Sequence, residues 1–93
     1  MKKEEEMALQ DIRTISPGIV QDPLINSGRP IVKGTRVFVD RIIGHLENGM
    51  SPQEIYEEYE LTPEQVAAIQ RLSPEQVQYI KGYADALENR MVR

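Results

Sequence analysis

A chain of 93 residues has room for one small core and no second domain. With 40% hydrophobic residues, one Phe, no Trp and no Cys, that core must be aliphatic, and disulfides, thiolate nucleophiles and cysteine-based metal sites are excluded. Eleven Lys and Arg against fifteen Asp and Glu leave a formal charge of -4, which argues against nonspecific nucleic-acid binding by the whole surface.

Residues 1–10, MKKEEEMALQ, read as a charged tail, with a short helix as the alternative. They contain no apolar signal-peptide core, and no later stretch approaches the roughly 18 apolar residues of a membrane-spanning helix. The expectation is a cytoplasmic protein with no membrane association. Residues 11–93 form the single domain. Over 11–39 the β-prone pieces IRTI, GIV and PIV alternate with the turn formers SPG, DP, NSGRP and KGT, which predicts one or two strands and irregular arms. Arg36-Val37-Phe38-Val39 is a candidate last extended segment.

Helical spacing begins at Val39, with Ile42, Ile43 and Leu46 following at i+3, i+4 and i+7. Asp40 is a candidate cap and Gly49 a candidate left-handed terminator, so a first helix is expected over 40–48. Three segments then repeat one pattern every eleven residues: Met50-Ser51-Pro52-Gln53-Glu54-Ile55, Leu61-Thr62-Pro63-Glu64-Gln65-Val66 and Leu72-Ser73-Pro74-Glu75-Gln76-Val77. Each has a hydroxyl at the N-cap, Pro at N1, Glu or Gln at N3 to close a capping box, and apolar residues placed for a hydrophobic staple. They predict helices over 52–59, 63–70 and 74–91. The interruptions by Pro rule out a continuous eleven-residue coiled coil, and a reused capping pattern is preferred to a solenoid.

Charge is unevenly distributed along these elements. Over 11–46, Arg13, Arg29, Lys33, Arg36 and Arg41 against Asp11, Asp22 and Asp40 sum to +2, whereas Glu47, Glu54, Glu57, Glu58, Glu60 and Glu64 give 47–70 a charge of -6. His45 is the only histidine and is read as a partly buried structural residue, and the Glu-rich stretch is read as a solvated helix face. No nucleophile, base or ligand constellation emerges, so neither catalysis, a cofactor, a metal nor a small-molecule substrate is expected. The order Lys33-Gly34-Thr35 followed by an extended run does not fit a phosphate-binding loop. The turns around it either aim Arg29, Lys33 and Arg36 at a partner or phosphate backbone, or hold purely structural glycines.

The helices over 52–59 and 63–70 have the dimensions of a helix-turn-helix. The second would act as recognition helix, with Gln65, Gln70 and Arg71 as base readers. Together with Arg29, Lys33, Arg36 and Arg41 these are the DNA-binding candidates. On the last helix Tyr79, Tyr83, Leu87 and Met91 are candidates for a partner-binding stripe.

Three blocks occur in a characteristic order: Ser27-Gly28-Arg29-Pro30-Ile31-Val32-Lys33-Gly34-Thr35-Arg36-Val37-Phe38-Val39, preceded by Asp22-Pro23; Gly49-Met50-Ser51-Pro52-Gln53-Glu54-Ile55 with Tyr59; and Leu61-Thr62-Pro63-Glu64-Gln65-Val66. Over 22–69 the chain resembles the bacterial family labelled domain of unknown function 433. The resemblance implies a mainly α fold with a short N-terminal β or extended element at 28–39, a small helical bundle containing a homeodomain-like or winged helix-turn-helix at 51–70. It also implies an antitoxin that neutralises a PIN-like nuclease toxin, expected here as a homodimer that binds operator DNA. A free-standing DNA-binding regulator, or an uncharacterised interaction protein, is the alternative. The chain departs from the family pattern in having Tyr59-Glu60 where Tyr-Pro is usual, and in continuing past Ile69 with Gln70-Arg71 and a further capped helix.

Overall fold

The computed structural model describes residues 12–92. The tail expected over 1–10 lies outside them. Three short strands are followed by four helices: β1 (Arg13–Ser16), β2 (Ile19–Gln21), β3 (Ile31–Val32), α1 (Val39–Glu47), α2 (Pro52–Tyr59), α3 (Pro63–Gln70) and α4 (Pro74–Val92). The protein is mainly helical with a three-stranded antiparallel sheet of order β1-β2-β3.

The sheet has one strand more than the most the sequence suggested, because none of the three is long enough to be legible without its neighbours. Pro17 and Gly18 turn β1 into β2, with Gly18 at φ +90°, a conformation open to Gly at little cost. A Cβ on Gly18 would lie 3.3 Å from the Ala68 Cβ, so two small residues let the hairpin sit on α3. Ile19 pairs with Val32 and Val20 with Ile31, and cross-strand partners share a face. Ile19 and Val32 therefore enter the main core, while Val20 and Ile31 are buried on the opposite face. Residues 36–39 do not form a strand. They contribute one bridge, Ile31 to Phe38, and lead directly into α1.

The sequence misplaces the start of α1. Phe38 occupies the N-cap without a side-chain bond, and Asp40 lies inside the first turn, where a negative charge suits the helix dipole. The carboxylate is engaged elsewhere, by Arg29. At the other end Gly49 adopts φ +97°; the Met50 amide donates to the His45 carbonyl and the Gly49 amide to that of Leu46, closing a Schellman motif.

The three remaining helices begin where the repeated pattern puts them. The Glu54 amide donates to Ser51 Oγ and the Ser51 amide to Glu54 Oε1; Thr62 with Gln65 and Ser73 with Gln76 repeat this reciprocal pair. α2 ends at Glu60, which takes a left-handed φ of +56°. Proline cannot adopt that angle, so the residue that departs from the family pattern also closes the helix in its own way.

The core collects one apolar face from each element: Ile19 and Val32 from the sheet, Val39, Ile42 and Ile43 from α1, Ile55 from α2, Val66 and Ile69 from α3, and Ile80 from α4. Leu61, from the turn between α2 and α3, joins them. α4 crosses the whole molecule. The Gln76 Nε2 donates to the Ile15 carbonyl on β1, Lys81 pairs with Glu47 of α1 at 2.8 Å, Ile80 is buried between these anchors and Ala84 is buried one turn beyond them. His45 holds the structural role expected of it, its Nε2 lying 2.7 Å from the Tyr59 hydroxyl and so tying α1 to α2.

Candidate functional site

The two glycines and Arg29 of the Gly28 to Arg36 stretch build the fold. Arg29 is 9% exposed. Its Nε donates to Asp40 Oδ1 at 3.1 Å and its Nη2 to Asp40 Oδ2 at 2.8 Å and to Glu88 Oε2 at 3.2 Å, while the guanidinium lies 4.1 Å from the centre of the Phe38 ring. The hydrogen bonds to Asp40 raise the guanidinium further above its ordinary pKa, against the opposing effect of burial. Arg29, a DNA-binding candidate in the sequence, is thus turned inward and engaged within the chain. Two acids and a ring enclose it, because an arginine in a Gly/Pro-rich turn can be folded inward once distant elements supply a planar bidentate partner.

Gly28 beside it has φ +82°, and a Cβ there would stand 2.7 Å from the Tyr83 hydroxyl. That hydroxyl donates to the Ser27 carbonyl at 2.7 Å, and Gln21, 6% exposed, donates from Nε2 to the Gly28 carbonyl. The Tyr79 hydroxyl donates to Gln21 Oε1. Two of the partner-binding candidates thus fasten α4 to the N-terminal sheet and its loop. Tyr79 and Tyr83 use their hydroxyls within the chain, while Tyr79 remains 43% exposed. Leu87 is half-buried, and the Met91 side chain lies outside the described residues.

The other cations are at the surface. Lys33 and Arg36 are exposed on the turn after β3, a turn closed by Thr35, whose hydroxyl donates to the Val32 carbonyl and accepts from the Val37 amide. The Lys-Gly-Thr-Arg block is thus a built turn that presents its first and last residues. Arg41 is exposed, its guanidinium 5.7 Å from the Phe38 ring centre. Gln70 and Arg71 are exposed at the C-terminal end of α3. Gln65 is half-buried and its Oε1 is engaged by the Thr62 amide, so a cap role competes with base reading at that position.

Lys33 and Arg36 share an open groove with Ile12, Val20, Ile25 and Ile31, on the sheet face turned away from the main core. Sequence reasoning missed this apolar groove. Its one local signal was Pro23-Leu24-Ile25, two large aliphatic residues inside a turn. Among the described residues no cluster of three or more His, Asp or Glu side chains is arranged to hold a metal ion, and no helix is long and apolar enough to cross a membrane.

The family described as protein of unknown function (DUF433) has a model that matches residues 19–72, more than half of the chain. The chain belongs to the DUF433 family. Searches among curated proteins and among solved structures give no significant match. The DUF433 match runs from β2 to the turn after α3, so it includes the Arg29 to Asp40 pair but neither β1 nor α4. Both elements outside the match bond to the matched part: β1 pairs with β2, and α4 brings the Tyr83 hydroxyl to the Ser27 carbonyl and the Glu88 carboxylate to Arg29.

Proposed function

We propose that this DUF433 protein is the noncatalytic antitoxin of a toxin-antitoxin pair, a homodimer that binds a PIN-like nuclease and neutralises it. The observation that carries the reading is the exposed face of α2, where Glu54, Glu57 and Glu58 stand together and Glu60 follows at the helix end. A nuclease must hold phosphates, so its substrate surface is basic, and an acidic helix on a small rigid bundle complements it in charge. The same face repels a phosphate backbone, which ranks protein binding above DNA binding.

Operator binding is the second reading. α2 and α3 are both eight residues long and are joined by a tight left-handed turn, the dimensions of a helix-turn-helix, with Gln70 and Arg71 exposed at the end of the second helix.

Copurification from the native host, with a nuclease-treated control, separates the two. A stoichiometric nuclease-like protein that survives removal of DNA supports the antitoxin reading. Recovery of the bait alone, under conditions that preserve complexes, refutes it and leaves a free-standing regulator.

A further inference from the structure

Leu24 is 83% exposed and Ile12 is 48% exposed; Ile12 lines the groove described above, and Leu24 lies in sequence between two other lining residues, Asp22 and Ile25. Leu24 is not on a slack loop. Its amide donates to Asp22 Oδ1, the Ile25 amide to the Asp22 carbonyl, and the Gly28 amide to the Ile25 carbonyl. Asn26 and Ser27 follow at φ +49° and +57°, left-handed angles that Asn adopts readily and Ser only under restraint from its surroundings. Here the Tyr83 hydroxyl on the Ser27 carbonyl supplies that restraint. A strained, cross-braced loop that holds a leucine in water has the character of a preorganised anchor.

Beside the anchor lies its counterpart. The groove, of about 390 Å³, has an apolar lining that includes Ile12, Ile25 and Ile31, together with Asp22, Lys33 and Arg36. One patch thus carries a knob and a hole, and both signs of charge. A two-fold interface places the same patch on both sides, so each feature here has its complement within the patch itself. A nucleic-acid backbone would meet Asp22 and an apolar floor.

We propose that two copies of the chain associate through this face, Leu24 of each seated in the apolar groove of the other, with Asp22 of each facing Lys33 and Arg36 across the axis. This deepens the homodimer part of the function proposed above and is independent of any nuclease, because it is read on the isolated chain.

The test is the molar mass of the purified full-length chain by light scattering across the micromolar range. The expected result is the mass of two chains. Leu24→Asp and the double variant Lys33→Glu/Arg36→Glu, all at exposed positions, should each keep the helical circular dichroism and weaken association at least tenfold. Asp22→Asn, which keeps the acceptor for the Leu24 amide and removes the charge, should also weaken association. A monomeric full-length chain overturns the proposal, as does a dimer indifferent to Leu24→Asp or to Lys33→Glu/Arg36→Glu. A monomer whose Ile31 amide loses exchange protection on deletion of residues 1–10 would give the groove to the chain's own N-terminal segment, which also overturns it.

Discussion

Arg29 shows how far a residue's chemistry is set by elements distant in sequence. Asp40 reaches it from eleven residues away and Glu88 from fifty-nine, and Phe38 covers its face. With side-chain exposures of 11% for Arg29 and 16% for Asp40, the pair is largely withdrawn from water. Removing one partner strands the other charge, so Arg29→Ala should destabilise the fold by about 3 kcal/mol. Arg29→Lys should fall between the two, because an ammonium cannot make the bidentate contact or stack in the same way. Urea unfolding checks this through the transition midpoint. Since pairing raises the Arg29 pKa, its contribution is fully present below the ordinary arginine value and is lost only as pH rises through the higher folded value. The midpoint difference between wild type and Arg29→Ala therefore holds from pH 6 to 9 so far as Arg29 itself titrates.

At the level of elements, the three capping boxes look interchangeable in sequence and are not. Gln65 uses its Oε1 to cap Thr62, whereas Gln76 caps Ser73 with Oε1 and also reaches the Ile15 carbonyl with Nε2 at 3.2 Å. Glutamate can replace the first function but not the second, and it would set a carboxylate against a carbonyl. Gln65→Glu should change stability by less than about 0.5 kcal/mol, helped by the helix dipole, while Gln76→Glu should cost about 1–2 kcal/mol. Thermal melts of the two single variants decide it. The starts of α2, α3 and α4 were legible to the residue because hydroxyl, Pro and Glu or Gln act within one turn. α1 was less so because its start has no such cap, and its first acid answers to Arg29. The strands were read least well. Two to four residues carry too little pattern, and their pairing depends on turns and on the helices behind them.

For the whole molecule, the family match ends at residue 72, but the core does not. Ile80 is fully buried and Ala84 is 3% exposed, and α4 supplies partners to β1, to the Ser27 loop, to α1 and to Arg29. A chain ending at Leu72 would expose the apolar faces of α1 and the sheet together. It should lose cooperative unfolding altogether, observed as a broad, shallow denaturant transition by circular dichroism. A sharp transition in that truncated chain would show that the family segment is a complete domain and that α4 is an addition. Of the candidate surfaces, the acidic face of α2 could be read from Glu54, Glu57 and Glu58 alone, because exposed charges follow helical spacing. The groove beside Leu24 could not, since its lining comes from four separate segments of the first 36 residues.

By itself, the sequence determined what depends on neighbours along the chain: the helix starts at Pro52, Pro63 and Pro74, the left-handed stop at Gly49, the aliphatic core and the acidic second helix. Only the tertiary structure decided which charged and aromatic side chains face inward. Arg29, Tyr79 and Tyr83 have the composition of a binding surface, and each is instead engaged by a partner eleven to fifty-nine residues away. The physical reason is one of range. Caps and turns are satisfied within a few residues, whereas a buried guanidinium or a bonded phenol is stable only where the completed fold brings it a carboxylate, a carbonyl or an amide.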